Sequence, residues 1–263
     1  MSIGTFYGIS VGPGDPELLT LKALRLLQRS PIVSFPAGVN GKPGFAEQII
    51  VNWLSPNQRR LPLTFPYVQD IDLLTQAWQV AAEQVWSFLQ QGDDVVFASE
   101  GDVSFYSTFT YLAQTLLHLY PQATVEAVPG VCSPLAAAAA VGLPLTLRHQ
   151  RLVVLPALYN TAELESVLQW ADVIVLMKVS SVYPQVWAVL KHHQLLERSY
   201  VVEWATLPHE LIHTDLPSKP DLQLPYFSLL VVQVSGAIIP VETLLSVEDR
   251  VGNRAIAASS EPC

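Results

Sequence analysis

"YGISVGPGDPELLTLKALRLLQRSPIVSFPAG", Tyr7 to Gly38, decides the fold. Thr5 to Val11 is a short β-prone run that ends in Gly12-Pro13-Gly14-Asp15. From Pro16 to Gln28 the apolar residues Leu18, Leu21 and Leu24 recur at helical spacing. Asp15 suits the N-cap and Pro16 the first helical position. Pro31 to Phe35 is a second apolar run, so the stretch predicts strand, helix, strand, the unit of a parallel sheet. The glycines let the chain turn sharply, and the helix start offers unpaired N–H groups to a ligand. A bare strand-to-helix connection would use the same residues. A dinucleotide fingerprint is excluded because its third glycine position holds Glu17. A phosphate loop is excluded because no Gly-Lys-Ser/Thr opens the helix.

The same pattern returns twice. "VVFASEGDVSFYSTFTYL", Val95 to Leu112, is a strand running into Glu100-Gly101-Asp102 and then a helix. "VEAVPGVCSPLAAAAAVGLPL", Val125 to Leu145, is a third strand ending at a glycine turn. Further strands are expected at Leu152–Leu155, Val173–Met177, Tyr200–Trp204 and Phe227–Val234. Helices are expected near 44–53 and 71–91, then at Phe105–Leu119, Pro134–Val141, Ala162–Trp170 and Val182–His193. Near-continuous apolar strands alternating with helices predict α/β sheets covered on both faces. The expected division is an N-terminal α/β domain over 1–122, a C-terminal one over 123–245, and a peripheral tail over 246–263.

The chain has 263 residues, enough for two such domains. Half are apolar and 14% are charged, which predicts large buried sheets or an extensive subunit interface. A net charge of -9 argues against a nucleic-acid surface, which needs a basic stripe. Cys132 and Cys263 fit neither a metal spacing nor a disulfide framework. MSIGTFYGIS lacks the basic start and apolar block of a signal peptide, and Pro134–Leu147 is too short and broken to span a bilayer. A soluble cytoplasmic protein without a membrane partner is the expectation.

His209 to His213 reads HELIH, the pattern in which two histidines one helical turn apart hold zinc and the glutamate activates water. Pro217 and Pro220 follow closely, no histidine lies downstream, and no E-x-x-x-D supplies a third ligand. The zinc-hydrolase reading is therefore set aside, and no protein-bound metal is expected.

Taken together, the three glycine turns resemble those of the tetrapyrrole (corrin/porphyrin) methyltransferases, over nearly the whole chain. "VGPGDPELLT" is similar to the family's first signature and "SEGDVSFYSTFTYL" to its second. "VPGVCS" is similar to a turn usually ending in Thr-Ser or Ser-Ser, and "VLMKV", Val175 to Val179, to a central strand carrying a cofactor-contacting Met. "SFPAG", "LMKVSSVY", "VEWATLPHELI" and "PYFSLLVV" are most like members that methylate carbon 20 of precorrin-2.

The resemblance implies two αβα domains, an N-terminal mostly parallel sheet and a C-terminal mixed sheet, with the active site in the cleft between them. It implies S-adenosylmethionine as cofactor and S-adenosylhomocysteine as product. Pro13 is expected to line the cofactor and substrate site. Glu100, Gly101 and Asp102 are expected against the cofactor's amino-acid portion, beside Val103, Ser104 and Phe105. Cys132 and Ser133 hold the positions of the hydroxyl pair, and the thiol of Cys132 is the weaker hydrogen-bonding group. Met177, Ala205, Thr206, Pro225, Tyr226, Phe227 and Ser228 are expected around the adenosine. Asp15, Lys42, Arg148 and Lys178 join Pro13 as substrate candidates, arginine and lysine for the ring's carboxylates, with Arg59, Arg60 and Arg151 as further bases. Glu100 is the candidate proton acceptor. The substrate implied is precorrin-2 or its cobalt form, and the assembly a homodimer. A catalytically silent tetrapyrrole-binding module remains the alternative from outside the enzymes.

Overall fold

The computed structural model describes residues 2–38, 42–66, 68, 70–158 and 160–235. The chain packs as two units, Met1–Ser133 and Pro134–Cys263.

The first unit is a parallel sheet of β1 (Thr5–Ser10), β2 (Ile32–Pro36), β3 (Arg59–Leu63), β4 (Val95–Ser99) and β5 (Thr124–Val128), ordered β3-β2-β4-β1-β5. Residues of period two sort onto opposite faces. Tyr7, Ile9, Val33, Phe35, Val96 and Ala98 pack with Ala23, Leu26 and Leu27 of α1 (Leu21–Arg29) and Ala46, Ile49 and Ile50 of α2 (Phe45–Ile50). Phe6, Ile32, Val95 and Phe97 pack instead with α3 (Ile71–Leu89) and α4 (Thr108–Leu119). Gly8 lies on this second face because a Cβ there would sit 2.3 Å from the Phe109 ring.

Three expectations are corrected. The boundary at residue 122 would sever β5 from β1, with which it pairs from Thr5↔Thr124 to Ile9↔Val128; the units divide after Ser133 instead. The helix expected from Pro16 is two elements. Asp15 caps only a 3₁₀ turn, Pro16–Leu18, and α1 begins after Thr20, whose hydroxyl accepts the Ala23 amide. β3 was not expected, because RRLPL is charged and half-exposed and holds Pro62; it lies at the sheet edge, where a missing amide is tolerated.

The second unit is a mixed sheet ordered β6-β7-β10-β8-β9. β6 (Leu152–Leu155) and β7 (Val173–Met177) are parallel, while β10 (Ser228–Gln233) runs antiparallel to β7 and to β8 (Ser199–Glu203). β9 (Leu211–His213) closes the edge, antiparallel to β8. α6 (Thr161–Leu168) and α7 (Tyr183–His192) cover the face carrying Leu155, Ile174, Leu176, Val201 and Leu230. α5 (Ser133–Val141) is the alanine run. No helix among the described residues is long and apolar enough to cross a membrane. The expected tail, 246–263, lies outside the described residues.

Candidate functional site

In an open parallel sheet, ligands bind outside the carboxyl ends of neighbouring strands whose connections leave to opposite faces. β1 leads to α1 on one face, and its neighbour β4 leads to α4 on the other. The sheet order therefore selects the ends of β1 and β4, where the first two glycine turns lie. The turns are joined there. Gly12 N–H donates to the Gly101 carbonyl at 3.2 Å, and Gly101 N–H donates to that of Gly12 at 2.8 Å. Both glycines have positive φ, 79° and 69°. A Cβ on Gly101 would meet nothing within 4 Å, so this side of the turn is open.

Asp102 ties the third turn to the other two. Its Oδ2 accepts the Gly130 amide at 2.6 Å, and its Oδ1 accepts the Ser104 amide at 2.8 Å and the Ser104 hydroxyl. Ser10, last residue of β1, sits beneath. Its Oγ accepts the Val103 amide at 2.9 Å and donates to the Val128 carbonyl at 2.8 Å, with Asp102 Oδ2 3.4 Å away. Asp102 is 8% exposed. Burial pushes its carboxyl pKa up, but the Ser104 hydroxyl, the Gly130 and Ser104 amides and Ser10 together hold it below the usual value. A Cβ on Gly130 would lie 2.4 Å from Cβ of Ser10, so the third turn needs glycine for close approach.

The other residues expected in this unit divide. Pro13 is half-buried and Glu100 and Ser104 are exposed. Asp15 spends one carboxylate oxygen on the Glu17 amide, at 2.8 Å. Phe105 is half-buried, its ring edge-on to Tyr106 at 4.7 Å. The Val103 side chain is in the core, 2% exposed, which leaves its backbone to the turn. Cys132 and Ser133 are half-buried after the Gly130 turn, Ser133 opening α5. Lys42 is exposed in the loop that leaves β2 at the same sheet edge. Arg59 and Arg60 open β3 at the other edge, where Arg59 lies over the Phe88 ring and Arg60 pairs with Glu47 at 3.5 Å.

In the second unit, Leu229 pairs with Met177, and Ser228 with Glu203. This register brings Met177, Ala205, Thr206, Tyr226, Phe227 and Ser228 to one sheet edge, with Pro225, whose carbonyl accepts the Ser228 hydroxyl. Trp204 N–H donates to the Phe227 carbonyl at 2.9 Å, and their rings lie 5.1 Å apart. Lys178 is exposed at this edge, its ammonium 5.4 Å from the Tyr226 ring centroid. Three non-glycine residues here have positive φ: Lys178 (54°), Trp204 (52°) and Thr206 (71°). Each costs about 1–3 kcal/mol, a kind of strain that collects at functional sites. Arg148 is not with them. Its turn is pinned by Gln150 to the Ser235 carbonyl, beyond the far end of β10. Arg151 is bound to Asp172 at 2.9 Å, and that contact first, then Ser235, holds the Asp172 carboxyl far below its ordinary value.

HELIH is not helical. Leu211–His213 is β9, and the His213 ring meets Glu203 Oε1 at 2.7 Å. The groups that hold these turns in place and were not singled out from the sequence are Ser10, Glu203 and Glu210. Ser10 carried the one available signal, a hydroxyl closing an otherwise apolar strand.

The sequence profile of the tetrapyrrole (corrin/porphyrin) methylases matches residues 5–219. The chain belongs to that family of methylases. It is 32% identical over 240 residues to the precorrin-2 C(20)-methyltransferase of a Sinorhizobium species, covering 88% of this chain and 96% of the relative. It is 34% identical over 230 residues to the cobalt-precorrin-2 C(20)-methyltransferase of Salmonella typhimurium, covering 87% and 96%. Among solved structures, a cobalt precorrin-4 methyltransferase aligns with a TM-score of 0.68 at 22% identity, covering 88% of this chain and 96% of that one. The Thermus thermophilus uroporphyrin-III C-methyl transferase complexed with S-adenyl homocysteine aligns at 0.61 and 23%, covering 87% and 97%. The two structures support the fold.

Proposed function

We propose that this chain is an S-adenosylmethionine-dependent methyltransferase that methylates carbon 20 of precorrin-2, giving precorrin-3A on the route to cobalamin. The observation that carries the reading is the Gly12–Gly101 junction at the point where the sheet's connections diverge. The residues fit the cofactor in two respects. Gly101 leaves its open side to a ligand, and the exposed Glu100 beside it suits a ligand bearing sulfonium and ammonium charge. When bound, S-adenosylmethionine supplies an electrophilic methyl group together with its own leaving group, a neutral thioether.

The chain's residues then position and exclude water rather than act as nucleophile. Pro13 and Glu100 to Phe105 hold the amino-acid portion, Val103 by its backbone. Cys132 and Ser133 complete that turn. Met177, Ala205, Thr206 and Pro225 to Ser228 are assigned to the adenosine, the Met177 thioether as a polarisable contact. Lys42 and Lys178 are assigned to the macrocycle's carboxylates, and Asp15 to its edge. Glu100 takes the proton that leaves carbon 20. Arg148, in the turn held to the Ser235 carbonyl at the other edge of its sheet, is given no part in this reading.

The test is incubation with precorrin-2, with and without cobalt in the ring, and methyl-labelled S-adenosylmethionine, followed by mass and NMR location of the label. Label at carbon 20 is expected. Label elsewhere refutes the position assigned, and no transfer to either ring refutes the reaction. The better substrate of the two decides the metal state, cobalt being part of the substrate. A homodimer belongs to the same reading, and sedimentation at the mass of one chain would refute it.

A further inference from the structure

His209–His213 takes no part in the reaction proposed above, yet its side chains fold back on the turn that ends β8. The His209 ring lies 4.9 Å from that of Trp204. Glu210 Oε2 accepts the Thr206 amide at 2.6 Å. His213 Nε2 is 2.7 Å from Glu203 Oε1, and Lys219 Nζ is 3.2 Å from Nδ1 of the same ring. An ammonium only donates, so Nδ1 accepts and Nε2 donates to Glu203. One five-residue segment thus grips Glu203, Trp204 and Thr206.

The turn needs gripping. Trp204 and Thr206 hold positive φ without being glycine, and a β-branched residue there is a true outlier. A connection serving only to reverse the chain would relax with glycine or asparagine. Such strain persists only where the surroundings over-determine it, and it marks a shape kept for use.

We propose that Glu210 is a positioning residue for the cofactor: by accepting the Thr206 amide it holds the Trp204–Thr206 turn in the shape that receives the adenosine. His213 supports it by fixing Glu203. This rests on the cofactor reading above. In this role Glu210 acts through the Thr206 amide, so what matters is an acceptor oxygen rather than a charge.

Calorimetric titration with S-adenosylhomocysteine tests it, beside thermal unfolding and hydrogen exchange of the 204–210 segment. Glu210→Ala is expected to weaken binding about 10-fold, the worth of one hydrogen bond, and to speed exchange locally. Glu210→Gln keeps a side-chain carbonyl and is expected within about threefold of the parent. Parent affinity in Glu210→Ala overturns the proposal. So does Glu210→Gln binding as poorly as Glu210→Ala, because the carboxylate charge would then be what the ligand reads. If Glu210→Ala does not fold, Glu210→Gln decides alone, with near-parent affinity and slow exchange supporting the proposal and a 10-fold loss overturning it. A parent chain that binds no S-adenosylhomocysteine refutes the cofactor reading itself, a separate and recognisable outcome.

Discussion

Asp102→Asn should be nearly as damaging as a change of shape, although it alters one atom. The groups hydrogen-bonded closely to this carboxylate are all donors, the Gly130 amide and the Ser104 amide and hydroxyl, while the Ser10 hydroxyl, whose proton goes to the Val128 carbonyl, lies 3.4 Å off. An asparagine keeps one acceptor oxygen and must turn its NH₂ toward a donor. One amide therefore loses a charge-assisted bond, worth about 1.5–3 kcal/mol. Asp102→Ala strips both amides and should cost roughly twice that, about 3–6 kcal/mol, less whatever water restores. At roughly 3 °C per kcal/mol, Asp102→Asn should melt about 5–9 °C below the parent.

The pH dependence sharpens the test. The folded carboxyl is held below its ordinary value of 3.8, so its stabilisation is complete above that value and is lost as pH falls through the folded one. A protonated Asp102 has the donor pattern of asparagine. The gap between parent and Asp102→Asn, measured by urea unfolding, should hold constant from about pH 8 to 5 and close below about pH 4. A variant within 1 kcal/mol of the parent at neutral pH would refute the reasoning. So would a gap that acid leaves open.

Gly130→Ala should cost at least about 1–3 kcal/mol by driving a methyl group into Ser10, and it should be less than additive with Asp102→Asn because both loosen one junction; full additivity in denaturation would contradict this. Gly101→Ala meets open space and pays only for positive φ, about 1–2 kcal/mol, so it should fold yet bind S-adenosylhomocysteine more weakly than its stability loss explains. Unchanged affinity by calorimetry would remove Gly101 from the site. Burial pushes the Tyr183 hydroxyl up to about 12. A raised pKa stabilises fully below the unfolded value near 10 and is lost as pH rises through the folded one. Alkaline ultraviolet titration should therefore show a late tyrosinate step near 12 that Tyr183→Phe removes, leaving the still later step of Tyr200, which burial pushes up further.

The first unit was legible because its information is local. Three strands end in glycine, and the alternation of Tyr7, Ile9 and Val11 against Phe6 and Gly8 states which face meets which helix layer. β3 and β9 were not legible, since an edge strand buries little and RRLPL and LIH carry no apolar alternation. The boundary was misplaced for a related reason. Composition shows where a loop lies, but only the pairing of β5 with β1 shows which sheet claims the next strand. Asp102 stands in the second glycine turn of the sequence, yet its neighbours Ser104, Gly130 and Ser10 lie 2 to 92 residues away and could be found only in the fold.

The two units reach a shaped turn by different physics. Gly12 and Gly101 adopt positive φ at no steric cost, so their turn needs only the reciprocal amide bonds that join it. Trp204 and Thr206 carry side chains and pay for the same backbone, so their turn needs an outside brace, which HELIH provides. This explains why the motif misleads when read alone. Histidine and glutamate at metal spacing are useful wherever a donor or acceptor must be held at a fixed distance. Zinc binding would require that spacing on a helix, whereas here Glu210 faces an amide and His213 lies on a strand against a carboxylate.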